Sequence, residues 1–296
     1  MSEPRPRQAD LTLGLIIFGM VSLGALIGLF GSVLAGPVTS TDVVLEQADA
    51  QPFPVEREGV TDLLATLAVL NPGRTQTLLD AAPRLPDDPS RRIALLQTSL
   101  AVLRDEAPYL RYASLRAYTD LLLVFGDGMA ALDQSDSPWC SATSIADLTR
   151  ENEDELMPSV LQALTSNDQA FDWSTRFLGI ALKAAQDGRR APVRHGSRTA
   201  NDEAVVQFYG RQLGAERLAI ALAVASFSHA EGRDFATMRS AIEGVDVCAL
   251  SDAFIELSNR LPGDVKGRVM SELAPEVFYG NTPYVLYLLR GYFFVG

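Results

Sequence analysis

DPSRRIALLQTSLAVL, from Asp88 to Leu103, opens on an acid, a proline and a serine, then sets Ile93, Leu96, Leu100 and Leu103 on one face. Apolar residues recurring every three and four steps make a stripe that an α-helix buries against a neighbour. Similar patterns recur on both sides. Upstream, VTDLLATLAVL from Val60 to Leu70 ends at Asn71, Pro72 and Gly73, and RTQTLLDAA forms a second short helix closed by Pro83. Downstream, a run from Tyr109 to Phe125 stops at Gly126, Asp127 and Gly128, and a further helix surrounds Phe171 to Gln186. Alternating strand patterns are scarce, so the expected fold is all-α and built from helical hairpins.

LAIALAVASF, from Leu218 to Phe227, is apolar all round yet too short to cross a bilayer, which predicts a central buried helix. The longer stretch ALAVASFSHAEGRDFATMRSAIE resembles one tetratricopeptide-type hairpin, with Ala223, Gly232, Phe235 and Ala241 near positions such hairpins keep small or apolar. The resemblance covers that hairpin only, without the period of about 34 residues that an array of such repeats shows. It implies a style of packing.

From Leu11 to Ala35 the chain reads LTLGLIIFGMVSLGALIGLFGSVLA with no charged residue. At about 1.5 Å per residue it is long enough for a hydrocarbon core of roughly 30 Å, and it predicts an N-terminal single transmembrane helix. A signal peptide cleaved after Ala35 is the rival, although signal cores run shorter, at about 7 to 15 residues. Arg5 and Arg7 precede the stretch and the next basic residue is Arg57, so the positive-inside bias places the N-terminus in the cytoplasm. Gly24, Gly28 and Ser32, with Gly31 and Ala35 one step round, form a small-residue groove of the kind by which membrane helices pack on a membrane protein partner.

The expected order is therefore a cytoplasmic N-terminus (1–10), a transmembrane helix (11–35), a tether (36–59), a helical subdomain (60–186), a basic loop (187–201) and a second helical subdomain (202–296). Lys183 and Lys266 are the only lysines among 25 basic residues, a composition that suggests a bacterial source. The expected location is the bacterial inner membrane, with the helical domain periplasmic.

Acids outnumber bases 37 to 25, for a net charge of −12 over 296 residues. That balance repels phosphate backbones and predicts no nucleic-acid partner. Within it, Arg189, Arg190, Arg194, His195 and Arg198 make a basic stretch suited to an acidic partner or a phosphate headgroup. The C-terminus concentrates Phe278, Tyr279, Tyr284, Tyr287, Tyr292, Phe293 and Phe294 with a single charge, Arg290. Such a segment docks on its own core, on a partner or on the outer face of the bilayer.

Cys140 and Cys248 are the only cysteines, and in an oxidising compartment an even pair favours a disulfide over two buried thiols. His195 and His229 stand apart from any Cys or His at ligand spacing, and Glu151, Glu153, Asp154 and Glu155 lack the alternation of a calcium loop. Neither metal nor cofactor is expected. Serines beside both histidines lie in no nucleophile-turn motif. The sequence thus favours a non-enzymatic accessory, assembly or scaffolding subunit of a membrane or envelope complex. The alternative is a membrane-anchored extracytoplasmic hydrolase or glycan-acting enzyme, whose raised-pKa carboxylate no motif identifies.

Overall fold

Asn71, Pro72 and Gly73 interrupt the chain for one residue only. The Asn71 side chain accepts a hydrogen bond from the Arg74 N–H at 3.1 Å, and Pro72, which has no N–H to lose, starts the next helix. Asp87 does the same at the start of the helix first read from Asp88, accepting from the Ser90 N–H at 2.8 Å. Ser90 also keeps the exposed Asp87 carboxyl below the usual carboxylate range.

The computed structural model describes residues 53, 58–134, 140–144, 161–162, 164–165, 168–212, 236–237, 239–240 and 242–279. The described helices are α1 (Glu58–Leu70), α2 (Pro72–Ala81), α3 (Asp88–Leu110), α4 (Leu115–Gln134), α5 (Asp168–Arg190), α6 (Ala200–Gln212), α7 (Val247–Arg260) and α8 (Gly263–Tyr279). A 3-10 turn, Ala82–Arg84, joins α2 to the approach of α3. No strand occurs among the described residues; one isolated bridge pairs Ser141 with Asp246. The fold is all-α.

Centrally placed among the described helices is α5, which packs against α1, α3 and α4. Its apolar stripe of Phe171, Phe177, Leu178, Ala181, Leu182 and Ala185 is buried. Each large side chain so covered contributes about 1.5 to 3 kcal/mol. α3 runs parallel to α5, because Arg92 pairs with Asp168 at 2.9 Å at one end and Arg189 with Glu106 at 2.9 Å at the other. α4 runs antiparallel to α5, α7 covers the outer side of α4, and α8 lies over α3 and α4.

Two expectations about breaks are corrected. The run from Tyr109 is not one helix: α3 ends at Leu110, and the buried Tyr118 hydroxyl donates to the Leu110 carbonyl at 2.6 Å. Burial raises the Tyr118 pKa well above the usual phenol range. Nor do Gly126, Asp127 and Gly128 end α4, which continues to Gln134. A Cβ at Gly126 would meet Ile255 Cδ1 at 2.7 Å, and one at Gly128 would overlap the Trp173 indole. These glycines admit α7 and α5 to close range. The indole Nε1–H donates to the Val124 carbonyl at 2.7 Å, on the turn that Gly128 leaves bare.

Among the described residues no helix is long and apolar enough to cross a membrane. The predicted transmembrane helix at 11–35, the acidic stretch 151–155, the apolar stretch 218–227 and the hairpin resemblance up to residue 235 lie outside the described residues.

Candidate functional site

Between α4 and α5 runs a groove of about 560 Å³, lined on α4 by Ala117, Asp120, Leu123 and Asp127 and on α5 by Arg176, Ile180, Lys183 and Asp187, among others. At one end Trp173 of α5 packs against Gly128 of α4, and at the other Gly188 lies against the Ala113 N–H in the connector just before α4. Asp127 of α4 and Arg176 of α5 face one another across the seam, and Arg116, Asp120, Lys183 and Asp187 line the same groove. The first rung is closed, with Arg176 Nη2 on Asp127 Oδ2 at 2.7 Å. Leu123, 52% exposed, comes opposite Ile180 and forms an apolar rung between the charged ones.

Such a slot suits an amphipathic helix, whose apolar face would cover Leu123 and Ile180 while its polar flanks meet the charged rims. From Ser114 to Asp127 the groove offers about 20 Å of length, roughly four helical turns. Exposed pairs of this kind each add about 0 to 1 kcal/mol, so the rungs set register more than stability.

The basic stretch divides between a helix and a connector. α5 extends past Gln186 to Arg190, so Arg189 and Arg190 stand on its last turn. Arg189 Nη1 donates to both Glu106 oxygens, at 2.9 and 3.2 Å, and its guanidinium lies 4.9 Å from the Tyr109 ring centroid. Arg198 pairs with Glu203 at 3.4 Å. Arg190 and Arg194 are exposed. His195 serves structure: its half-buried ring donates through Nε2 to the Ala113 carbonyl at 2.7 Å and fills the space left open by Gly267.

Sequence reasoning missed the fully buried Asp202. Thr199 N–H donates to its carboxylate at 2.8 Å and its own N–H returns to Thr199 Oγ1 at 3.2 Å, a reciprocal cap on α6. Arg268 on α8 adds two hydrogen bonds, at 2.8 and 2.7 Å, and reaches Asp264 at 2.8 Å. Arg268 holds the Asp202 carboxyl below the usual range, and the two carboxylates push the Arg268 pKa up. Threonine three places before aspartate was the readable signal; the arginine 66 residues away was not.

Cys140 and Cys248 are joined as a disulfide, with Cα atoms 5.0 Å apart. The bridge stands where Ala142 N–H donates to the Val245 carbonyl at 3.1 Å and where Asp246 caps α7 through the N–H groups of Cys248 and Ala249. Asp246 and the two cysteines make the one group of possible metal ligands among the described residues. With each sulfur bonded to the other, no thiolate is left to coordinate an ion.

Gly24, Gly28, Gly31, Ser32 and Ala35 lie outside the described residues, as do Tyr284, Tyr287, Tyr292, Phe293 and Phe294. Of the aromatic C-terminus, Phe278 is buried and stacks on Phe177 with centroids 6.0 Å apart, and Tyr279 is 50% exposed beneath the Arg104 guanidinium. No protein-family model, curated protein or solved structure matches this chain.

Proposed function

We propose that this chain is a single-pass membrane protein whose helical domain binds a helix of a partner, as an accessory or scaffolding subunit of an envelope complex. The observation that carries the binding role is the groove between α4 and α5. Its apolar rung, framed by oppositely charged rims, has the length and lining of a helix receptor rather than the convergent polar groups of a small-molecule site. The anchoring half of the proposal rests on the uncharged apolar stretch 11–35, with Gly24, Gly28 and Ser32 as a second contact inside the bilayer. The N-terminus is then cytoplasmic and the domain periplasmic.

Purification of the full chain in a gentle detergent tests both halves. Co-elution with a membrane protein in fixed ratio is expected, weakened by G24L/G28L within the bilayer and by L123E in the groove. A lone monomer that turns over envelope material would replace this proposal with the hydrolase alternative.

A further inference from the structure

One end of the domain gathers exposed cations, three of which meet no carboxylate among the described residues. α3 ends there, α4 begins there, and the connector after α5 is pinned across both, with the Val193 N–H donating to the Tyr112 carbonyl at 2.9 Å. Arg111 and Arg194 flank those two residues, Arg190 closes α5, and Arg116, with 92% of its side chain exposed, stands on the first turn of α4. Beside them Leu115 is 38% exposed and Val193 40%.

Carboxylates at this end are engaged by other arginines: Glu106 by Arg189, Glu203 by Arg198, and Asp202 with Asp264 by Arg268. Asp187 at the mouth of the groove is the exception, and Arg116 approaches Asp120 only to 3.9 Å. Among the described residues, Arg111, Arg190 and Arg194 have no carboxylate within ion-pairing distance. In a chain of net charge −12 this is a local reversal of sign, mixed with exposed aliphatic groups.

We propose that this arginine-rich end lies against the anionic headgroups of the bilayer that holds the chain's own 11–35 stretch, an inference that rests on the anchored reading above. Arginine forks match phosphate oxygens, and Leu115 and Val193 reach the boundary where headgroups meet acyl chains. Connectivity favours the bilayer over a free acidic protein. Residues 36–52 link the apolar stretch to Phe53, which is buried in the core, and reach at most about 60 Å when fully extended. α1 starts against Thr175, whose hydroxyl lies 3.0 Å from a Cβ placed at Gly59. From Thr175 to Arg190 along α5 is about 22 Å, within that reach. A surface tethered so closely is present at high effective concentration, whereas an independent partner has to be met in solution. Repulsion from the rest of the acidic domain is screened beyond about 8 Å at physiological salt, so the local patch decides the orientation.

Trypsin reads the contact directly, because Arg190 and Arg194 offer exposed cleavage sites. The full chain is inserted in nanodiscs of neutral phosphatidylcholine, or of the same lipid with about one third phosphatidylglycerol. Arginines near an anionic surface are held there electrostatically, and cleavage at Arg190 and Arg194 is expected to slow about tenfold, equivalent to about 1.4 kcal/mol, in the anionic discs. Cleavage at Arg84, exposed before the opposite end of α3, is expected to stay equal. Protection is expected to vanish in about 0.5 M salt, where screening shortens to a few ångströms. It is also expected to vanish in R111E/R116E, which retains both cleavage sites and whose fold is checked by circular dichroism. Equal rates in the two discs overturn the proposal. Protection that appears only with added polyglutamate overturns it in favour of an acidic protein. A chain that does not co-elute with either disc overturns the anchored reading and this proposal together, and is told apart by the elution profile alone.

Discussion

On the flank that faces α3, α5 brings Gly188 against the Tyr109 backbone, buries Phe171, Ala181 and Ala185, and ends in the Arg189–Glu106 pair. On the flank that faces α4, the same helix leaves Lys183 exposed and meets its neighbour across a groove. The difference comes from where side chains are missing. A glycine at the α3 seam lets backbone touch backbone, so that seam closes. Along the groove, medium-sized and charged side chains hold the helices apart, and the glycines of α4 instead admit Trp173 at its far end and Ile255 of α7 on its outer side. One helix thus carries a seam built for stability and a seam left available for contact.

Breaking what holds α4 from outside should have the largest effect. Cys140 follows α4 and Cys248 opens α7, and their bond closes a loop spanning 108 residues. C140S/C248S is expected to lower stability by about 4 kcal/mol in the chain-entropy model, read from urea midpoints with and without reductant. An unchanged midpoint would show that α7 holds α4 by packing alone.

Next comes the buried ion pair that joins α6 to α8. D202A removes the carboxylate from a half-buried arginine and uncaps α6, a loss of about 3 kcal/mol. Acid should reach the same pair. Because the folded Asp202 pKa lies below its unfolded value, the unfolded chain takes up the proton first as pH falls. The contribution of the pair is full above about pH 4 and drains as pH drops through the lower folded pKa. Stability measured from pH 7 to 2 should therefore fall less steeply in D202A than in the natural chain.

Smaller again is the cost of prising apart the closed seam. G188A places a methyl group on the Tyr109 carbonyl, and the resulting shift of α3 is expected to cost about 2 kcal/mol by thermal melting. In the open seam the expectation reverses. L123E should change stability by less than about 0.5 kcal/mol while abolishing partner binding in the co-elution assay. A large drop in melting temperature would mean that Leu123 belongs to the core and that the groove is not a receptor.

How much of this was legible varied with the range of the interaction. The stripe of Leu96, Leu100 and Leu103 announced α3, and Asp88, Pro89 and Ser90 its start, because caps and periodicity act within a turn or two. Gly126 and Gly128 misled because a glycine marks either a break or a close approach. Which one applies depends on Trp173 and Ile255, distant in sequence. The cysteine pair was foreseeable from its even number. The groove was not, because Asp127 and Arg176 come together only once α4 and α5 are known to be neighbours.

By itself, then, the sequence determined helical class, several helix ends, the sign of the overall charge and the apolar character of 11–35, since each depends on neighbours along the chain. Tertiary structure decided which helix is central among those described, which seam is closed, where Asp202 finds Arg268 and where four arginines gather at one end. Those outcomes depend on backbone approach and burial between residues tens of positions apart, which no local pattern encodes.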